Sequence, residues 1–375
     1  MPYKKLIIIS THELDRRISV LFQVTELTKR GACVEYWNIS EITYREHVKP
    51  VNLGIWVKEI KTEKAFEEAV KKNNRDETLY IVYTNYCYKT CLCYRILSRY
   101  DSKMLYCING VLPSVFETYK HITKDNIIRA IKNKCAALLL KTPLISPVRY
   151  ELVTCANAGH AHKIGKATHT ISYNSTDYED SLHSGEPPVT SPYIVFLDQY
   201  LPCHPDNILA GEKGADVELY FSQMNHLFDV LERNYNCKVI IAAHPAANGY
   251  ASKNPYNGRL LMTGITRELV KHSIGVVSHF STAIYFAVIY NKPLLLVTSK
   301  DISENLKRVH THSVAFAASL NCDFLMLDDI PEDFRFKHIS KKSYDEFKYH
   351  YITNPDSEHT SNADVLMSIY NGEYE

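Results

Sequence analysis

The sequence predicts an α/β protein built as two Rossmann-like, doubly wound domains facing a central cleft, and three observations predict it. Short apolar runs alternate with amphipathic segments, as parallel strands and their covering helices do. The alternation stops at Ser184-Gly185-Glu186-Pro187-Pro188-Val189-Thr190-Ser191-Pro192, which is rich in Pro, Gly and Ser and lacks a periodic apolar pattern, and then restarts. The length of 375 residues suits two domains of ordinary size. The expected division is a first domain over 1–188, a second domain over 189–340, and a helical tail over 341–375 packing back on the first domain.

Each element has a local reason. Leu6 to Ser10 is apolar and β-branched, a first buried strand, and its run is too short for the apolar region of a secretion signal. Arg16 to Lys29 carries a helical pattern that ends at Gly31, which tolerates the left-handed backbone of a helix C-cap. Cys33 to Trp37 is the next strand, followed by helix Thr62 to Lys72, strand Thr78 to Tyr83, helix Thr90 to Arg99, strand Met104 to Ile108 and helix Lys124 to Lys134. Extended runs follow at Glu151 to Cys155 and Thr168 to Tyr173. After the break come strand Tyr193 to Leu197, helix Asp216 to Arg233, strand Lys238 to Ala243, an extended Arg259 to Met262, and a helical turn at Arg267 to His272. Strand Ile274 to Val277, helix Ser281 to Tyr290, strand Leu294 to Val297, a helical region over Ser303 to Leu320 and strand Phe324 to Leu327 complete the second half.

Composition excludes several function classes. With 43 Lys and Arg against 42 Asp and Glu, the net charge is +1, so the molecule has no global basic field with which to hold nucleic acid. No run of about 18 apolar residues crosses a membrane; the expectation is a cytoplasmic protein, at most resting on the inner face of the cytoplasmic membrane. The ten cysteines are scattered among apolar runs, the usage of reduced thiols. Cys87, Cys91 and Cys93 are closely spaced, but no second pair follows to complete a zinc set, and thiols on a helix after a strand are the simpler reading. No metal is expected. Gly-x-Gly-x-x-Gly, Gly-x4-Gly-Lys-Ser/Thr, Asp-x-Asp and Gly-x-Ser-x-Gly are all absent, which argues against dinucleotide redox enzymes, P-loop NTPases, metal-clamped diphosphate sites and α/β-hydrolases. His160 and His162 stand without partners and read as loop residues.

Ligands of doubly wound sheets sit beyond the carboxyl ends of the strands, so the residues after each strand are the candidates. Strand Ile274 to Val277 runs into Ser278-His279-Phe280-Ser281-Thr282 and then a helix; hydroxyls and free N–H groups there suit a phosphate, while a Ser or Thr also simply caps a helix. His244-Pro245 ends another strand, and Pro245 forces a turn that holds the imidazole at the strand end, where it can donate to a phosphate or protonate a leaving group. Asp198-Gln199 ends a third; Asp198 is either a general base or a turn-closing carboxylate, and Gln199 can bond a sugar hydroxyl. In the first half Glu13 and Asp15 are rival bases, or N-caps of the helix that follows.

Taken together, Asp198-Gln199, His244-Pro245, Ser278-His279-Phe280-Ser281-Thr282 and Asn291-Lys292-Pro293 resemble the second domain of GT-B glycosyltransferases of bacterial surface polysaccharide synthesis, over about Tyr193 to Val297. The pattern looks most like the transferases that use CMP-linked sialic or other nonulosonic acids or Kdo. It departs from them where Asp198-Gln199-Tyr200 replaces two acids and a glycine. The resemblance implies an inverting, metal-independent transfer from a nucleotide-sugar co-substrate to a glycan or glycolipid, with no resident cofactor. In it Asp198 or Glu13 is the base, His244 assists the leaving phosphate, and Gln199, Pro245, Ser278, His279, Ser281 and Thr282 bind the donor. UDP-sugar transferases, polyol-phosphate transferases of the teichoic-acid type and nucleotide-sugar epimerases share the architecture and stand as the alternative.

Overall fold

The computed structural model describes residues 2–43, 56–108, 113, 124–158, 167–183, 185–204, 213–247, 250 and 253–374. Ser184, His160 and His162, named above, lie outside the described residues. The chain forms two compact units: residues 1–111, 118–179 and 349–375 make unit 1, and residues 112–117 and 180–348 make unit 2.

Unit 1 holds a seven-stranded, fully parallel sheet. Its strands are β1 (Lys5–Ser10), β2 (Val34–Asn38), β3 (Trp56–Glu59), β4 (Thr78–Tyr83), β5 (Lys103–Ile108), β6 (Tyr150–Val153) and β7 (His169–Ser172), in the spatial order β3-β2-β1-β4-β5-β6-β7. Both faces are buried, so β1 reads as a continuous apolar run: Leu6 and Ile8 enter one core and Ile7 and Ile9 the other. The expected helix over Arg16 to Lys29 is broken in two, Arg16–Leu21 and Val24–Lys29, because Gln23 takes a left-handed backbone (φ 47°) that lets both Phe22 and Val24 point into the core. Gly31 does end the second piece, at φ 88°, with its N–H on the Thr28 carbonyl and that of Ala32 on Leu27. Strand β3 has no counterpart in the sequence reading; it is a four-residue edge strand with two charged residues. The segment from Tyr349 belongs to unit 1, where helix Asn362–Tyr370 buries Val365, Leu366 and Ile369 in the core shared by Leu6 and Ile8.

Unit 2 holds a six-stranded parallel sheet of β8 (Tyr193–Leu197), β9 (Lys238–Ala242), β10 (Leu261–Met262), β11 (Gly275–Ser278), β12 (Leu294–Thr298) and β13 (Asp323–Met326), ordered β10-β9-β8-β11-β12-β13. The long helix Val217–Tyr235 is capped by Asp216, whose carboxylate accepts from Leu219 N–H. It lays Tyr220, Met224, Leu227, Phe228 and Leu231 on the sheet at helical spacing. The region expected to be one helix from Ser303 is two, Lys300–Asn305 and Lys307–Leu320, separated by the non-helical Leu306 (φ −125°, ψ 57°), whose side chain is in the core. In each sheet the strand order reverses once, between β1 and β4 and between β8 and β11. These two switch points are where a doubly wound sheet opens a crevice for a ligand.

Candidate functional site

At the unit 2 switch point the ends of β9, β8 and β11 lie side by side, which brings His244, Asp198-Gln199 and Phe280-Ser281-Thr282 to one edge of the sheet. Successive strands are about 5 Å apart, so the roots of His244 and Ser281, two strands apart, stand roughly 10 Å from one another, a span a diphosphate group can fill.

His244 is partly exposed beyond β9. Its Nδ1 accepts the Ala246 N–H at 3.1 Å, made possible by the turn through Pro245. In the neutral ring the proton therefore sits on Nε2, the nitrogen able to donate to a ligand oxygen. The His204 ring stands edge-on at 5.1 Å between centroids.

Asp198, one of the two expected bases, is enclosed by protein groups. It is buried, and both carboxylate oxygens face protein donors: Oδ1 accepts from Tyr200 N–H at 3.0 Å and Tyr256 O–H at 2.9 Å, and Oδ2 from His244 N–H at 3.2 Å. Burial pushes its carboxyl upward, against those three hydrogen bonds. The carboxylate thereby ties the end of β8 to the His244 backbone at the end of β9. Gln199 does similar work across the switch point, its Oε1 accepting Phe280 N–H at 2.9 Å.

Two residues expected to bind donor point inward. His279 is fully buried; Nδ1 donates to the Val297 carbonyl at 2.8 Å and Nε2 accepts from Tyr220 O–H at 3.0 Å. Desolvation holds this ring neutral, its pKa pushed down to about 4. Ser278 is also fully buried, with its Oγ unpartnered among the described atoms. Both follow from strand alternation, which continues one residue past β11 and turns His279 to the core. Ser281 and Thr282 precede the helix instead of starting it: helix Ile284–Ile289 begins two residues later, and Ser281 Oγ accepts the Ala283 N–H at 3.1 Å.

The structure adds groups that the sequence reading passed over. Phe280 carries the His312 ring stacked at 5.0 Å and the Arg308 guanidinium over it at 5.6 Å, both from helix Lys307–Leu320. A signal existed, since Lys307, Arg308, His310 and His312 crowd the start of that helix, but only the break at Leu306 aims this turn back at β11.

The unit 1 switch point has its own depression of about 330 Å³, lined by His12, Glu13, Asp15, Arg17, Ile18, Tyr83 and Thr176. Asp15 caps the helix Arg16–Leu21, accepting Ile18 N–H at 2.8 Å. Glu13 takes no such cap and stands partly exposed on the depression. Among the described residues no three His, Cys, Asp or Glu side chains gather as a metal site, and Cys87, Cys91 and Cys93 lie around the start of helix Cys91–Arg99 as unlinked thiols. No described helix is long and apolar enough to cross a membrane.

No protein-family model matches the chain, and no curated protein sequence matches it. Solved structures do. UDP-GlcNAc 2-epimerase from Methanocaldococcus jannaschii superposes at TM-score 0.53 with 10% identity, covering 99% of this chain and 100% of that one. A putative UDP-N-acetylglucosamine 2-epimerase from Listeria monocytogenes gives 0.51 with 11% identity over 100% and 97% of the two chains. A variant of the wall teichoic acid polymerase TagF gives 0.51 with 9% identity over 99% and 90%. Two parallel-sheet α/β units matched over the whole chain define a GT-B fold, the fold of these nucleotide-sugar enzymes.

Proposed function

We propose that the protein is an enzyme acting on a nucleotide-diphosphate-linked sugar or polyol, and that unit 2 binds this donor at the ends of β8, β9 and β11. The observation that supports this most is the place of His244 at the end of β9, where its Nδ1 accepts the Ala246 N–H and the proton of the neutral ring therefore sits on Nε2. In the proposed step an acceptor hydroxyl attacks the transferred group and the bond to the departing nucleotide phosphate breaks. Nε2–H of His244 donates to that phosphate as negative charge builds on it, with Ser281, Thr282 and Arg308 as further donors. For the base that takes the acceptor proton we propose Glu13 in place of Asp198.

In the reading with CMP-linked acidic sugars the base is Asp198 or Glu13, and the engagement of Asp198 by three protein donors weighs against the first of these. The fold neighbours weigh against the CMP donor, being named for UDP-GlcNAc and for teichoic acid. Thermal-shift measurements with CMP, CDP, UDP and GDP test the reading. Stabilisation by CDP or UDP beyond that by CMP, lost in Arg308→Ala, is expected. Stabilisation by CMP alone returns the acidic-sugar reading, and a flat response to all four overturns nucleotide binding.

A further inference from the structure

The helix Lys124–Leu139 of unit 1 is anchored to its body along one side. Asn133 accepts Tyr88 N–H at 3.2 Å, the Ala136 carbonyl accepts Tyr86 O–H at 2.8 Å, and Ala136 is its one buried residue between positions 127 and 138. The opposite side is apolar and open to solvent. Ile127, Ile131 and Leu138 follow at i, i+4 and i+11 and stay 48%, 56% and 61% exposed, with Ile128 beside them at 49%. Leu144, just beyond the helix, is 52% exposed. Such a stripe is rarely left uncovered on a folded surface without a use.

Charge says what covers it. Between positions 124 and 141 the sequence has five basic residues, Lys124, Arg129, Lys132, Lys134 and Lys141, against the single acid Asp125. This local excess of four positive charges stands in a chain whose total is +1. On the helical wheel Lys132 and Lys134 flank the apolar stripe on its two sides, with the Lys132 ammonium resting over the Tyr88 ring at 5.3 Å, a contact it would exchange for a headgroup. A second copy of the chain meeting this one through the same stripe would bring two such excesses together, whereas an anionic lipid surface neutralises them and takes up the isoleucines.

We propose that helix 124–139 is an interfacial membrane-docking helix that lies along an anionic bilayer surface, with Ile127, Ile128, Ile131 and Leu138 among the acyl chains and the lysines at the headgroups. The proposal is independent of the chemistry assigned to unit 2. It is tested on the full chain by co-sedimentation with vesicles of phosphatidylcholine alone and of phosphatidylcholine mixed with phosphatidylglycerol. Binding to the mixed vesicles, at least about tenfold tighter than to phosphatidylcholine and weakening with salt, is expected. Lys132→Gln and Lys134→Gln should each weaken it roughly fivefold, and Ile131→Asp should abolish it while leaving the melting temperature unchanged. Lys342→Gln, an exposed lysine of unit 2, is the control and should have little effect. Equal binding to both vesicles, no binding to either, or equal losses from Lys132→Gln and Lys342→Gln overturn the proposal. So does a dimer in sedimentation velocity that Ile131→Asp dissolves in a protein that ignores vesicles.

Discussion

Unit 1 and unit 2 share a doubly wound plan, yet they bury opposite kinds of titratable group. In unit 2, His279 sits behind the switch point as a neutral ring pinned between β12 and the helix bearing Tyr220, with its pKa pushed down to about 4. In unit 1, Glu179 is buried with its carboxylate accepting Asn362 N–H and Asn174 Nδ2–H, and desolvation pushes its pKa up to about 7 despite those bonds. Asn362 in turn donates to the Leu21 and Asn174 carbonyls, and Thr353 O–H donates to Asn174 Oδ1. The polar interior of unit 1 thus fastens the chain's last segment, and that of unit 2 shapes the strand-end loops. A buried polar group is costly unless paired, so each unit holds such groups where its connectivity most needs specification.

The proposed roles separate the units most sharply. His244→Ala is expected to lower turnover roughly 10²-fold or more and to leave the melting temperature within a degree or two, while Glu13→Gln should lower turnover without changing nucleotide affinity. Steady-state rates paired with binding measurements check both. Turnover by His244→Ala near that of the parent would remove the proposed role of unit 2.

The pH responses run in opposite directions through much the same window. Above about pH 6.5, His279 is neutral in folded and unfolded chains alike; as pH falls from there toward 4, the unfolded chain takes up a proton that the folded ring refuses. Unit 2 therefore loses stability on acidification, by about 3 kcal/mol at most. For Glu179 the folded chain keeps a proton that the unfolded one gives up, so unit 1 loses a similar amount as pH rises from about 4.5 to 7. Hydrogen exchange resolved by segment should show β8 and β9 opening more readily at low pH and β1 and β4 at neutral pH. His279→Gln and Glu179→Gln should each flatten the response of its own unit. A response that either variant leaves unchanged would refute the assignment.

Asp198→Asn sharpens the comparison at smaller amplitude. The amide can keep one accepting oxygen but turns an N–H₂ toward either the His244 N–H or the Tyr200 and Tyr256 donors, leaving a buried donor unsatisfied at about 1–3 kcal/mol. Denaturant unfolding should register that loss, and nucleotide affinity should fall with it because the His244 loop is no longer held. A base acting directly on the acceptor would instead lower turnover with affinity intact.

The strands were the most readable part of the chain. Thr78 to Tyr83 and Tyr193 to Leu197 agree with β4 and β8 residue for residue, because strands buried on both faces must be continuously apolar. Short or partly charged elements were not: β3 at Trp56–Glu59 and the helices Ser40–Thr43 and Thr176–Ser181 are too brief to establish a period. The breaks at Gln23 and Leu306 were hidden for another reason. Each keeps the helical spacing of apolar residues on both sides, and only the backbone dihedral at one residue ends the helix.

By itself the sequence determined the two parallel sheets, since the alternation of apolar runs and amphipathic helices admits little else, and it showed that His244-Pro245 and Ser281-Thr282 follow strands directly, where a doubly wound sheet takes its ligand. The tertiary structure decided which of those strand-end residues face outward. His244 and Ser281 remain at the surface of the site, whereas Asp198 and His279 are turned in to partners 46 and 18 residues away along the chain, His244 N–H and the Val297 carbonyl. Arg308 and His312 reach Phe280 only because β12 lies next to β11. A side chain's type is local, but whether it meets solvent or a buried partner depends on which strands become neighbours, and that is settled by packing across the whole sheet.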